Sequence, residues 1–477
     1  MSIQSILDIG KSGITAQRLA LEVTSENITN VNTPGYSRQT TIFQTSFVTE
    51  ERGFPLGTGV NVAEIQRAYD DFLQTQLKTE ASTTGWSSTV LASMKRAEQL
   101  FNEFTADGLG KSMQEFFAAW QDLTANPQGQ PERQAVLARA QQVVDQFHRI
   151  NGYLTDIKRE ANQSLEGITS DVNESLTRIA SLNDQIKLIE IRGARANELR
   201  DQRDLLVRQL SEKVGITYLE QTDGTLNVSL SLGPPLVLGN KAAELSLEPD
   251  AANNGYYKIF ATSPGDNTAV DISSIVGGPN NSQGRMGGTL QVRDSLVNGF
   301  LSDLDELASS LATEVNSLHS AGFGLNSSTG LDFFTAPTVT SGYSGIGGIQ
   351  LAISKTADIA AASVDPVTGG TGNNLNSRAI ASVYDKVLAT SGGNMTMEAF
   401  YNALVGKVGV AVQDAQRSSD LSEGIIKQLD TLRESQSGVS LDEELANLIK
   451  YQKAYEGAAK LVNVGTEMLD TILGLIR

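Results

Sequence analysis

Apolar residues recur every seven positions at the start of the chain, at Leu7, Ile14, Leu21 and Ile28, with Ile3, Gly10, Gln17, Thr24 and Val31 forming a second, weaker row. A seven-residue period keeps one helical face toward a partner, so it predicts a coiled-coil seam. The other end of the chain repeats the geometry. Leu441, Leu445, Leu448, Gln452, Tyr455, Ala459, Val462, Thr466, Leu469, Leu473 and Ile476 advance in alternating steps of four and three. Ser440 followed by Glu443, with Gly438 just before, reads as a capping box that starts this helix. A third stripe runs through Leu165, Ile168, Val172, Leu176, Ile179, Leu182, Ile186 and Ile189 and continues at Leu199, Leu206 and Leu210, which predicts a second helical layer.

Proline bounds these regions, because inside a helix it removes a hydrogen bond and costs about 3 kcal/mol. Residues 1–33, 132–233 and everything after Pro366 are free of it. Near Ile216 the period changes to two around Asp223-Gly224, a hairpin signal, and prolines with Asn, Gly and Ser fill 234–283. The expected architecture is mainly α: long helices in a bundle, an inserted small β domain, and terminal heptad helices forming a coiled coil. Its expected parts are a terminal axial domain of 1–33 plus 440–477, a helical body of 34–214 plus 284–439 with an irregular Gly/Ser/Thr-rich segment at 320–375, and a β domain at 215–283. A helix of about 30 residues with a narrow apolar stripe cannot bury that stripe alone. The economical expectation is that the chain ends pair with each other and then with other subunits, leaving them weakly ordered and protease-sensitive in the free monomer.

Composition narrows the function. A length of 477 residues suggests about three domains. Lys and Arg number 37 against 55 Asp and Glu, a net charge of -18 that repels nucleic acid and anionic lipid. The absence of Cys excludes disulfides and thiolate chemistry, and two His residues leave little for zinc. No apolar run approaches the ~18 residues needed to span a bilayer, so membrane insertion is not expected. The N-terminus also lacks the charged start and cleavage site of a secretory signal.

Candidate chemistry is thin. Gly108-Leu-Gly-Lys-Ser112 resembles the end of a phosphate loop, but Thr105 stands where its first Gly belongs, and a turn opening a helix is the better reading. Gly342-Tyr-Ser344-Gly-Ile346 lacks the closing Gly of a nucleophile elbow. His148 and His319 read as surface or capping residues. Arg200 and Asp204 lie four apart in Asn197-Glu-Leu-Arg-Asp-Gln-Arg-Asp204, which reads as a solvated, salt-bridged helix face. No cofactor and no catalytic or metal-ligating residue is assigned, and no enzyme activity is expected.

The first helix closes with Asn27-Ile-Thr-Asn30-Val-Asn-Thr33-Pro34-Gly35-Tyr36-Ser37-Arg38-Gln39. By itself this is a helix stop, turned by Thr-Pro-Gly, with Tyr36 as an anchor beyond the bend. The pattern resembles the N-terminal signature of the flagellar rod, hook and hook-associated axial proteins, and Ser37-Arg38-Gln39 resembles the hook-associated members at the hook–filament junction. Ser440 to Ala459 resembles the family's C-terminal helix. So do, in order, Glu115 to Phe117, Asn126-Pro127, Arg133 to Leu137, Asp201 to Asp204, Gly284 to Gly288, Val292 to Asp294, Asn316 to His319 and Asp332 to Phe334.

The resemblance implies a structural component of the bacterial flagellum. It would be exported without a cleaved signal through the flagellar type III apparatus and form a homo-oligomeric ring joining hook to filament. Its implied partners are itself, the hook protein, a second junction protein on the filament side, the export apparatus and a cytosolic export chaperone. Leu7, Ile14, Leu21, Ile28, Leu441, Leu445, Leu448, Tyr455, Val462, Leu469 and Leu473 are the expected assembly residues. The chaperone is expected on Leu445, Leu448, Tyr455, Val462 and Leu469. The alternatives are a hook or distal-rod protein of the same axial group and, more remotely, a secreted hydrolase housed in 215–395 and carried on axial helices.

Overall fold

A computed structural model describes residues 3–51, 54–101, 108–265, 268–278, 283–335, 337 and 345–475. Thr105, Gly342, Tyr343, Ser344 and Ile476, which entered the sequence comparisons above, lie outside the described residues. Helix α1 (Ile3–Thr29) ends where the Pro34-Gly35 turn breaks it. Gly35 has φ +82°, and a Cβ there would sit 3.2 Å from the Leu205 side chain, so both conformation and space call for glycine.

The chain then forms a ribbon. Strand β1 (Gln39–Thr45) pairs antiparallel with β4 (Val60–Arg67), and β2 (Val48–Glu51) with β3 (Phe54–Gly57) between them. The expected helical body of 34–214 takes in this stretch, which the structure shows as strands. The strands are short, and Pro55 sits inside one of them, so neither period stands out.

Four helices follow: α2 (Asp71–Leu100), α3 (Leu109–Ala125), α4 (Gln130–Glu190) and α5 (Asn197–Lys213). Asp70 caps α2 by accepting from Leu73 N at 3.0 Å, and Pro131 sits in the first turn of α4, where its missing N–H costs nothing. At 61 residues α4 is about 90 Å long. Two small sheets come next. Strands β5 (Ile216–Glu220), β6 (Leu226–Leu230), β7 (Pro235–Leu238) and β8 (Lys241–Ala242) lie in sequence order, and β9 (Glu244–Asp250), β10 (Tyr256–Thr262) and β11 (Ala269–Asp271) form the second sheet with β10 central.

Helix α6 (Ser273–Gly277) precedes α7 (Gly284–Gln291), which runs through a π turn at Val292–Leu296 into α8 (Val297–Ala321). The stretch from 322 to 396 holds the pair β12 (Phe334–Thr335) with β13 (Gln350–Leu351), short helices α9 (Pro366–Gly369) and α10 (Leu375–Ala381), and the pair β14 (Leu388–Thr390) with β15 (Gly393–Met395). Helices α11 (Met397–Ser437) and α12 (Leu441–Leu475) complete the chain.

Two cores share α4. Its first half packs with α3, α8 and α11 around Phe116, Trp120, Phe147, Phe300, Phe333 and Phe334. Its second half buries Leu165, Val172, Leu176 and Ile179 against α5, α7 and the sheets. The predicted stripe is therefore core as far as Ile186, whereas Ile189 is exposed. His319 is 1% exposed, among the ring faces of Trp120 and Phe333, which overturns its reading as a surface or capping residue. Its Nδ1–H donates to Leu331 O at 2.7 Å and its Nε2 accepts from Ala360 N at 3.1 Å, so both ring nitrogens hold backbone.

The two chain ends pair antiparallel. A Cβ on Gly10 would stand 2.6 Å from Val462 Cγ2, one on Gly13 3.2 Å from Ala458 Cβ, and one on Gly465 2.8 Å from Leu7 Cδ2. Small residues thus set a close approach, and the buried positions of α1 are Gly10, Ala16, Ala20, Val23, Thr24 and Asn27. Leu7, Ile14, Leu21 and Ile28 are half-buried along the flanks of that seam.

Candidate functional site

The turn after α1 gathers the signature residues into a buried polar knot at the base of the terminal helix pair. Asn27, 1% exposed, uses its full hydrogen-bonding capacity. Its Oδ1 accepts from Tyr36 OH and Gln39 N, both at 2.9 Å, while its Nδ2 donates to Gln39 O at 2.8 Å and to Glu444 Oε2 at 3.0 Å. The side-chain amide therefore acts as a strand neighbour for Gln39 and as a bridge to α12. Asn30, Thr33 and Tyr36 close the turn locally: Thr33 Oγ1 donates to Asn30 Oδ1 at 3.0 Å, and Tyr36 N donates to Thr33 O at 3.2 Å.

Arg38 fastens the other side. Its backbone N donates to Ser437 O at 2.9 Å, its Nε to Glu444 Oε1 at 2.8 Å and its Nη1 to Glu443 Oε2 at 2.7 Å. Ser37 grips α5: its N and Oγ donate to the two oxygens of Asp201 at 2.8 and 2.9 Å. Arg67 Nη1 from the ribbon donates to Asp201 Oδ1 and Asp204 Oδ2, both at 2.8 Å, and Lys78 Nζ from α2 reaches Asp204 Oδ1 at 3.1 Å. Asn197 Nδ2 adds bonds to Gln39 Oε1 at 3.0 Å and Ile65 O at 2.8 Å. Five elements, α1, α12, the ribbon, α5 and α2, meet here through side chains.

Burial raises the Asp201 carboxyl above its usual range, although Arg67 and Ser37 pull against it. For Asp204 burial pushes up, but Lys78 and Arg67 outweigh it and hold the carboxyl low. Burial and the neighbouring Glu198 raise Glu26. Removing one member of such a buried ion-pair set costs about 3–5 kcal/mol, because the remaining charge is stranded. The arrangement is a clamp: every group named points at another part of the chain.

The solvated face expected at 197–204 is overturned. Asn197, Arg200, Asp201 and Arg203 are all buried. Arg200 pairs with Glu190 through two bonds of 2.7 and 2.8 Å and with Glu220 at 2.6 Å, and Arg203 Nη1 donates to Asn183 Oδ1 and Gly224 O. Sequence reading also missed Arg67, Lys78 and Glu444. The acidic start of α12 was visible only as a helix cap, whereas Glu443 reaches back to Arg38. Along α12, Leu441, Leu445, Tyr455, Leu469 and Leu473 are exposed, Leu448 and Val462 half-buried, and Glu444 and Gly465 buried. Gly108 to Ser112 opens α3, as the turn reading expected. Among the described residues no helix is long and apolar enough to cross a membrane.

Residues 94–334 match the family described as flagellar hook-associated protein FlgK helical domain. The chain belongs to the FlgK family. The turn residues Asn27 to Tyr36 fall within a further match, to the flagella basal body rod protein family at 7–36, and Glu443 and Glu444 within another, to the flagellar basal body rod FlgEFG protein C-terminal family at 433–475. Curated relatives named flagellar hook-associated protein 1 span nearly the whole length. The Bacillus subtilis protein is 29% identical over 98% of this chain and 97% of its own, and the Salmonella typhimurium protein 28% identical over 99% and 100%. The flagellar hook junction protein FlgK of Burkholderia pseudomallei has the same fold, with a TM-score of 0.66 at 16% identity over 76% of this chain and all of that one. Membership in the FlgK family makes this a structural, hook-associated protein of the flagellum and so part of the motility machinery.

Proposed function

We propose that the protein assembles with copies of itself into the ring that joins hook to filament and is required for filament attachment. The observation that supports this is α12. With α1 already paired against it, Leu441, Leu445, Ile449, Leu461, Val464, Met468, Leu469, Ile472 and Leu473 each remain between 37% and 58% exposed. Apolar side chains left exposed around a helix that already has one partner have no core of their own to join, and identical neighbours packed on its remaining sides would cover them. A junction touches different proteins above and below, so the interface is heterologous and closes only by rotation around a ring. Residues 1–33 with 440–477 would form the inner tube, 34–214 with 284–439 the next shell, and 215–283 the outer surface, without catalysis.

The hook protein lies on one side in this reading, and a second junction protein lies on the filament side. Export proceeds through the flagellar type III apparatus without a cleaved signal. A cytosolic chaperone covers Leu445, Leu448, Tyr455, Val462 and Leu469 until then. The half-buried Leu448 and Val462 would make chaperone binding compete with α1. Deleting the gene in a motile host tests the role. Bare hooks with monomeric flagellin in the medium support it, loss of hooks would move the protein to rod or hook, and normal filaments would refute it.

A further inference from the structure

Phe72, Ile191 and Leu219 are among the most exposed large apolar side chains of the described residues, at 73%, 71% and 67%. They belong to segments that meet around one cleft of about 520 Å3. Asp71 and Glu220, the chain neighbours of Phe72 and Leu219, line it, as does Arg195, four positions beyond Ile191. Its wall carries three guanidinium groups, Arg67, Arg195 and Arg200, in a chain whose net charge is -18. Glu220 is already taken by Arg200 and Arg203, and Arg67 gives the knot only Nη1. Arg195 is 58% exposed with Glu64 at 3.5 Å, and Arg192, exposed in the turn after α4, makes no ion pair among the described residues. The mouth is therefore basic and its rim apolar, a surface that suits a segment alternating acidic with apolar residues.

Such a segment opens α12. Leu441 and Leu445 lie one turn apart on it and are 46% and 50% exposed. Asp442 between them is exposed and makes no ion pair among the described residues, whereas Glu443 and Glu444 turn to Arg38. Cleft and segment are tied to the same knot from different sides. Arg67 enters it through Asp201, which holds Ser37, and α12 enters through Glu444, which holds Asn27 and Arg38. The stretch from Ser37 to Gln39 is thus bonded to both, and the two surfaces are carried at one level of the molecule.

We propose that the cleft receives the first turn of α12 from a neighbouring copy, with Leu441 and Leu445 on its apolar rim and Asp442 against Arg192 and Arg195. The inference rests on the ring assembly proposed above and names its lateral contact. Two surfaces of one chain that match in charge and in apolar character are complementary between copies. Because they are different surfaces at one level, the contact repeats by rotation and continues round a ring instead of stopping at a pair. Each knot then braces the next.

The test exploits the absence of cysteine from the chain. Ile191→Cys and Leu441→Cys are introduced singly and together in the motile host, and detached hook–filament assemblies are treated with a short bismaleimide and run on a denaturing gel. The doubly substituted chain should give a ladder of dimer, trimer and higher species, and each single variant monomer alone. Adding Arg192→Glu to the double variant should reduce the ladder, and Asp442→Lys beside it should bring the ladder back. Monomer alone from assemblies that still carry filaments overturns the contact and leaves the ring reading standing. A ladder that stops at dimer overturns the head-to-tail arrangement, and one that Asp442→Lys fails to restore gives the cleft to a different protein. Assemblies that lack the protein altogether would defeat the ring reading, and the contact with it.

Discussion

Asn27 is the residue on which the knot turns, and its chemistry explains why no close substitute serves. Alanine would strand Gln39 N, Gln39 O, Tyr36 OH and one oxygen of Glu444 in a buried place. A group left unsatisfied costs about 1–3 kcal/mol, so Asn27→Ala should lower the denaturation midpoint of the purified protein clearly. Asn27→Asp keeps the shape yet places a second carboxylate against Glu444, and it should be no better. His319 gives a second prediction. Burial lowers its pKa in the folded protein, with Arg133 adding and the Leu331 carbonyl, Asp332 and Asp358 opposing. The unfolded chain therefore takes up the proton first as pH falls through about 6.5. Stability should drop from there to the depressed folded pKa and level off below it, with no contribution from this group above about 6.5. His319→Gln should flatten that window in pH-dependent unfolding. The signature was legible as a pattern; its partners were not. Asp201 lies 164 residues from Ser37 and Glu444 lies 417 from Asn27, and no local period connects them.

At the scale of elements, the terminal helices were legible and their seam was not. The large residues of the main heptad row flank the contact, while the row that looked weaker, with Gly10 and Thr24, lies inside it. Close antiparallel approach selects small side chains, and a pattern scored by apolar bulk passes over them. Gly10→Val would drive a side chain into Val462, which already stands 2.6 Å from an added Cβ. The pair should loosen, raising hydrogen exchange through 441–475 while amides of α3 and α8 stay protected. Should both regions remain equally protected, the seam is more yielding than its geometry implies. The ribbon at 39–67 escaped notice for another reason: four short strands carry too few alternating positions to outweigh Pro55.

At the scale of the whole molecule, α4 is the common member of two cores. Cluster residues of the first end on this helix at Ile157 and those of the second begin at Leu165, and the stretch between is held chiefly by buried polar side chains, Lys158 to Asn298 and Asn162 to Tyr257 N and Arg293. Ser164 is exposed there. Proline at this position breaks the helix at a cost of about 3 kcal/mol without touching either cluster. Ser164→Pro should therefore separate the two cores into distinct calorimetric transitions, whereas one unchanged transition would mean that they are coupled elsewhere. This division is not legible in the sequence, which places 34–214 in one helical body, because a single uninterrupted helix carries no break of period or composition between Ile157 and Leu165.

The antiparallel pairing of α1 with α12 also imposes an order in time. The first helix to be made has to wait for the last. At roughly 5–20 residues per second, the 417 positions between Asn27 and Glu444 take on the order of twenty seconds to over a minute to synthesise. Closing so large a loop is favourable only once the cores within it have drawn its ends together. The terminal pair is then the last tertiary contact to form, and an unpaired α1 reports that the rest of the chain is unfinished.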